Sequence, residues 1–314
     1  MKKKLIVLAG PTAVGKTKAS IGLAKAIGGE IISADSVQVY KKLNIGSAKI
    51  SEEEMEGVKH YLIDIYEPSE EFNVAIFKDL VNNAANEILR KGKVPILVGG
   101  TGFYIQAVLK DVDFSEGASD EAIRENYQTI AENEGPEKLL ELLKEVDPES
   151  CDSIQGLNVK RIIRALEYYE VTGKKISEHN AEQMIKESPF DYKYFVLTDD
   201  REVLYDRIDK RVDLMMKQGL LDEVKDLFDS GISRDAISMQ SLGYRQIMDY
   251  LYGDISLDEA VHKIKLQTRH FAKRQLTWFR REKDVIWVDK SDYNRDEMLV
   301  LEAILSNLEG WINE

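Results

Sequence analysis

Six short apolar runs punctuate the chain, at residues 4–9, 30–35, 61–65, 95–100, 194–197 and 285–288. Runs of this length, with little alternation of polar positions, predict strands buried on both faces, as in a parallel sheet. Between them, apolar residues recur at helical spacing over 17–27, 74–91, 201–216, 220–229, 257–281 and 297–308, and Thr101-Gly102-Phe103-Tyr104 opens a further helix. Strands alternating with helices predict a doubly wound α/β fold. The alternation lapses between 113 and 191. There the pattern is helical throughout, clearest over 158–172, with Pro136, Pro148 and Pro189 as breaks. The expected organisation is an α/β core of residues 1–112 and 192–314 with an all-helical insertion at 113–191.

The first strand runs into Gly10-Pro11-Thr12-Ala13-Val14-Gly15-Lys16-Thr17, which fills G-x-x-x-x-G-K-[ST] at every fixed position. With a strand before it and a helix after it, this is a phosphate-binding loop, and the core is P-loop NTPase-like. Its backbone N–H groups and the helix N-terminus attract phosphate oxygens. Lys16 adds a full charge, and the Thr17 hydroxyl suits a magnesium ion. The loop identifies a di- or polyphosphate ligand without saying what is done with it.

Composition narrows the classes. The chain has 314 residues, 43% of them hydrophobic, and a single cysteine, Cys151. One cysteine excludes a disulfide framework within the chain and a cysteine-built zinc site. No membrane-length apolar run and no signal-peptide core are visible, so a cytoplasmic protein is expected. Net charge is −13, which at first argues against a nucleic-acid partner. The charge is uneven, however. Residues 111–156 carry fourteen acids and three bases, whereas 262–283 carry eight Lys or Arg and one acid, Glu282. Binding answers to the local field.

Beyond the loop, no strong strand ends in the second magnesium-binding Asp of a nucleotide-hydrolysing switch. The best one, 95–100, ends in Gly-Gly-Thr, and Asp64 and Asp289 follow weaker strands. Asp35 ends the second strand, on the side where parallel sheets bind ligands. It can take a proton from a nucleophile, or it can cap the turn that Ser36 begins. Thr101 ends its strand toward the same crevice. Arg207 and Arg211 share a helix face and suit a leaving phosphate, although Glu202, Asp209 and Asp213 offer them ordinary ion pairs. Lys160, Arg161 and Arg164 make a compact basic patch. Two further stretches, Gly243-Tyr244-Arg245-Gln246 and residues 273–280, interleave bases with aromatics, which suits RNA or a core helix with a solvated basic face.

Taken together, these motifs resemble the bacterial tRNA dimethylallyltransferase (tRNA isopentenyltransferase) family over almost the whole chain. The resemblance rests on GPTAVGKT, Asp35-Ser36 with Tyr40, Gly99-Gly100-Thr101-Gly102-Phe103-Tyr104, the stretch from Lys160 to Arg164, the helix carrying Arg211, Gly243 to Gln246, and Lys273 to Arg280. It implies transfer of a dimethylallyl group from dimethylallyl diphosphate to N6 of the adenosine just 3′ of the tRNA anticodon. It also implies that the loop holds the donor diphosphate, with Mg2+, rather than ATP. Asp35 is then the general base, Thr101 lines the reaction channel, and Arg211 with Lys16 balances the departing diphosphate. The implied tRNA contacts are Asp35, Ser36, Val37, Gln38 and Thr101 in the crevice, and Arg124, Lys160, Arg161, Ile162, Ile163 and Arg164 in the insertion. Gln240, Gly243, Tyr244, Arg245, Lys273, Arg274, Gln275, Thr277, Trp278 and Arg280 complete them from the core. Eukaryotic relatives append a zinc finger, and the single cysteine here supplies none. A monomer without membrane contact is expected.

Three other readings share parts of this pattern. A small-molecule or nucleotide kinase accounts for the loop and Asp35 but not for the basic aromatic stretches. An adenylate isopentenyltransferase shares the chemistry without needing the inserted helices. A non-catalytic RNA-binding switch predicts nucleotide binding without prenyl transfer. The acidic segment from Asp111 to Asp152 is expected to face away from RNA, and 160–164 with 263–281 to line a positive groove.

Overall fold

The computed structural model describes residues 2–114, 120–154 and 156–312. Part of the acidic stretch, 115–119 and Gln155, lies outside the described residues. The chain divides into two compact units, Met1–Val108 with Phe190–Glu314, and Leu109–Pro189. The helical periodicity of the sequence predicts this insertion over 113–191.

In the first unit, β1 (Lys3–Ala9), β2 (Glu30–Ala34), β3 (His60–Tyr61), β4 (Pro95–Gly99), β5 (Phe190–Thr198) and β6 (Val285–Asp289) form one sheet. Its order is β3-β2-β4-β1-β5-β6, with every neighbouring pair parallel. Leu5, Ile6, Val7, Leu8 and Ala9 of the central β1 are 0% exposed, as a strand covered on both faces requires. The helices are α1 (Lys16–Ile27), α2 (Val74–Arg90) and α3 (Gly102–Leu109), then after the insertion α9 (Arg201–Gln218), α10 (Leu220–Asp229), α11 (Tyr244–Leu251), α12 (Leu257–Phe279) and α13 (Glu297–Ser306). Packing of α1 and α13 onto one face of the sheet buries Ile21, Leu23, Val300 and Ile304 against Ile6, Leu8 and Ile96. The strand expected over 61–65 is two residues long. Leu62 and Asp64 adopt φ of 64° and 55°, which no strand can continue.

Register places the chemistry. Ala9 pairs with Gly99, and Gly99 with Ala34. Gly10, Asp35 and Gly100 therefore leave the sheet side by side at one edge. Since β4 lies between β1 and β2, the phosphate loop and Asp35 start roughly 10 Å apart, two strand spacings.

The second unit holds α4 (Glu121–Glu134), α5 (Pro136–Val146), α6 (Pro148–Ser153), α7 (Val159–Thr172) and α8 (Ile176–Ile185). Pro136 and Pro148 open their helices, where the missing N–H costs nothing. Leu139 and Leu143 of α5 pack on Ile162, Ile163, Ala165 and Leu166 of α7. Two buried carboxylates organise the polar joints. Asp147 accepts from the Ser150 hydroxyl (2.6 Å) and the Ser177 hydroxyl (2.6 Å), joining the start of α6 to that of α8. Glu167 accepts from Arg124 Nε (2.8 Å) on α4 and Arg164 (2.8 Å) on its own helix.

One substitution tests the level strand ends. A Cβ at Gly99 would lie 2.3 Å from the Ala34 carbonyl oxygen, so Gly99→Ala must part β2 from β4. A loss of about 1–3 kcal/mol is expected, read as a lower midpoint in urea and in thermal melts.

Candidate active site

Between β1 and α1 the chain makes a tight turn. Gly15 caps α1 at φ 98°, and Ala13 holds φ 65°, a left-handed conformation that a side chain adopts only at some cost. Together with the level edges of β2 and β4, this loop opens onto a cavity of about 620 Å³. Thr12, Ala13, Gly15, Lys16 and Thr17 line it from the loop, and Asp35, Ser36, Val37 and Gln38 from the end of β2. Thr101 follows β4, and Arg211 reaches in from α9. Gly10, Pro11 and Val14 shape the loop from behind.

The Lys16 ammonium donates to the Gly10 carbonyl (2.9 Å) and the Pro11 carbonyl (2.8 Å). Burial, helped by the nearby Arg211 charge and opposed by Asp35, pushes its pKa down to about 7. Arg211 is likewise lowered by burial, against the pull of Asp35 and Glu54. It makes no ion pair among the described residues. Arg207, one turn earlier, does. Its guanidinium donates to the buried Asp199 (2.9 Å), which also accepts from Arg295 (3.0 Å). Pattern alone left the two arginines equivalent, and the geometry assigns only Arg211 to the cavity.

Asp35 turns out to cap its turn and line the cavity at once. One carboxylate oxygen accepts the backbone N–H groups of Val37 (2.8 Å) and Gln38 (3.3 Å). The other oxygen accepts no hydrogen bond among the described residues. Asp64 pairs with Lys49, and Asp289 caps the turn at Ser291 (2.9 Å), so neither serves the cavity. Among the described residues no cluster of His, Cys, Asp or Glu could hold a metal by itself.

Several residues expected to meet RNA are otherwise engaged. Gln275 is buried and bridges two walls of the site, accepting from the Thr12 N–H (2.9 Å) and donating to the Gly100 carbonyl (2.9 Å). Tyr244 is 0% exposed, and its hydroxyl donates to Glu223 (2.6 Å). Gly243, the buried cap of α11, offers no side chain. Ile162 and Ile163 belong to the core of the helical unit, because α7 turns that face toward α5. Trp278 packs over Gly102 and, edge-on at 6.3 Å, against Phe103. By contrast Gln240, Arg245, Lys273, Arg274, Thr277 and Arg280 are exposed, as are Lys160 and Arg161 on the helical unit, whereas the exposed Arg124 and half-exposed Arg164 are both paired with Glu167.

Other groups were missed by sequence reasoning. Glu223 collects the backbone N–H groups of Asn44 (2.9 Å), Ile45 (2.8 Å) and Gly46 (3.1 Å), fixing the segment that brings Gly46, Ser47 and Ala48 to the cavity wall. Gln267 accepts from Arg245 (2.7 Å) and Gln246 (2.9 Å). Phe271 lines the cavity and lies beneath the Arg274 guanidinium, 5.8 Å from the ring centre. Only the basic aromatic character of this helix hinted at any of them.

A glycine-rich loop between β1 and α1, a desolvated lysine and arginine, and a carboxylate around one cavity mark a P-loop α/β protein. The IPP transferase family model matches residues 38–282, and the chain belongs to that family. It is 58% identical over 300 residues to the tRNA dimethylallyltransferase of Lachnoclostridium phytofermentans, covering 96% of each chain. With the enzyme of the same name from Bacillus cytotoxicus it shares 51% over 291 residues, 93% of this chain and 92% of that one. Among solved structures it is similar to the tRNA isopentenylpyrophosphate transferase of Bacillus halodurans, with TM-score 0.73, 44% identity, and 98% and 97% coverage. A eukaryotic dimethylallyltransferase captured acting on tRNA gives TM-score 0.78 at 33% identity, covering 91% of this chain and 74% of that one.

The lowered lysine yields a pH test. A bound anion favours the ammonium, so binding takes up a proton wherever free Lys16 is neutral, above about pH 7. Affinity for inorganic diphosphate is expected to fall as pH rises from 7 to 9, by up to about tenfold per unit. Calorimetry in buffers of different ionisation enthalpy measures the proton, and Lys16→Met should abolish this component.

Proposed function

We propose that the protein transfers the dimethylallyl group of dimethylallyl diphosphate to N6 of the adenosine just 3′ of the anticodon in tRNA. The observation that carries this reading is the single cavity shared by the phosphate loop, Arg211 and Asp35. The loop N–H groups and the α1 N-terminus hold the donor diphosphate. As the allylic C–O bond breaks, its electron pair stays with the diphosphate, and Lys16 and Arg211 face the charge that grows there. N6 bonds to the freed carbon and gives up its proton to the open oxygen of Asp35. Thr101 flanks the path between them. Thr17, exposed at the first turn of α1, and the diphosphate oxygens suit Mg2+, which when bound neutralises leaving-group charge.

The adenine must leave its stack to enter, at a few kcal/mol, less in a loop than in a duplex. Arg245, Lys273, Arg274 and Arg280 offer cations to the RNA backbone from the core unit, with Gln240, Thr277 and Trp278 beside them. Arg124, Lys160, Arg161 and Arg164 do so from the helical unit. The protein acts as a monomer in this reading.

Mass spectrometry of tRNA incubated with protein and donor is expected to show a five-carbon addition at that adenosine, with no ADP formed when ATP is present. ADP in step with product would support a kinase instead. Asp35→Asn keeps the oxygen that caps the turn and removes the base. It should lower turnover by roughly 10²- to 10⁴-fold with tRNA still bound; wild-type turnover would leave Asp35 only a cap. Arg211→Ala should slow single turnover, since its partner charge grows in the transition state. Arg161→Ala should weaken tRNA binding and flatten its salt dependence by about one counterion. Equal effects of both on tRNA affinity, at unchanged single-turnover rates, would remove that division.

A further inference from the structure

Lys290 lies in the short helical turn after β6, 276 positions from the phosphate loop. It is 2% exposed, one of the largest fully buried side chains of the protein. Its ammonium donates to the Val14 carbonyl of the loop (3.3 Å) and to Glu297 at the start of α13 (2.6 Å). A Cβ placed on Gly15 would fall 2.9 Å from the same nitrogen. The ammonium is thus pressed against the peptide between Val14 and Gly15, one residue before Lys16 and the α1 N-terminus.

Stability alone is a weak reason for such a group. Burying a charge is costly, and replacing a buried ion pair by apolar residues is often neutral or favourable. Nor is the pair fully satisfied, because the second Glu297 oxygen is buried without a hydrogen-bond partner. The turn that delivers Lys290 is itself strained. Asn294 and Arg295 hold φ of 51° and 59°, a conformation that non-glycine residues keep only where the surroundings enforce it. Arg295, presented by this turn, donates to Asp199, which holds Arg207 one helical turn before Arg211. The same nine residues, 289–297, therefore brace the phosphate loop on one side and the helix of Arg211 on the other.

We propose that Lys290 is a positioning residue of the diphosphate site: its buried ammonium fixes the Val14–Gly15 peptide from behind and adds positive potential to the loop. The inference rests on the reading of the loop as a diphosphate cradle, but not on prenyl transfer.

The probe is inorganic diphosphate, with affinity measured by calorimetry on the full chain and tRNA affinity measured in parallel. Lys290→Met removes charge and donor at similar volume, and should weaken diphosphate binding about tenfold or more while tRNA affinity stays within twofold. Glu297→Gln leaves the ammonium in place and removes its counter-charge, so it should tighten diphosphate binding about two- to threefold even if it melts earlier. These opposite signs separate positioning from damage to the fold. An unchanged diphosphate affinity in Lys290→Met, or no tightening in Glu297→Gln, would overturn the proposal. If Lys290→Met does not fold, the sign of the Glu297→Gln effect decides. Failure of the wild-type protein to bind diphosphate would instead overturn the reading of the loop.

Discussion

Small residues hold three strand ends level, and the site depends on that alignment. At Gly99 there is no room for a side chain between β4 and the Ala34 carbonyl, so β1, β4 and β2 finish in step. The loop after β1 then faces the carboxylate after β2 across one intervening strand. Gln275 closes the gap from above, with its amide shared between Thr12 and Gly100. The distance between the loop and Asp35 is thereby set by the backbone hydrogen bonds of the sheet, with the buried Gln275 amide joining loop and strand end. Such a scaffold suits a reaction that depends on holding two substrates in line.

Charge is organised by the same economy. On α12, Lys265 and Arg269 are bound by Asp213 and Asp209 of α9, at 2.6 and 3.1 Å, and so join two helices. Lys273, Arg274, Arg280 and Arg281 remain exposed on that helix and just beyond its end. A net charge of −13 therefore says little about the field at the cavity mouth, because charges beyond about 8 Å are largely screened at physiological salt.

Local features were legible in the sequence, and features with distant partners were not. The phosphate loop could be read because its glycines, lysine and flanking elements lie within a few residues of one another. Asp35 and Thr101 could be read as strand ends because parallel strands point their carboxyl ends at ligands. Arg207 and Arg211 stayed equivalent until Asp199 and Arg295, the latter 96 positions from Asp199, entered the count. The joining of two walls of the site by Gln275 could not be read, because its partner Thr12 stands 263 positions away. Ile162 and Ile163 were swept into a basic patch by their neighbours, although the apolar stripe of α7 marks them as core. Glu223 and Lys290 carry no local motif at all, since each acts on backbone from another part of the chain.

The insertion also sets the order in which the sheet can be completed. The central strand β1 pairs with β5 along its whole length, Lys3 with Phe190 through Ala9 with Val196. Leu109–Pro189 must be synthesised before that partner exists. On a growing chain, β1 through β4 can pair while one side of β1, apolar from Leu5 to Ala9, stays an open hydrogen-bonding edge. Such edges invite pairing with other chains. The helical unit, whose own core is made of contacts within 109–189, can fold during that interval. Closing the sheet afterwards joins residues nearly two hundred positions apart, at an entropic cost that grows only slowly with the length of the excursion.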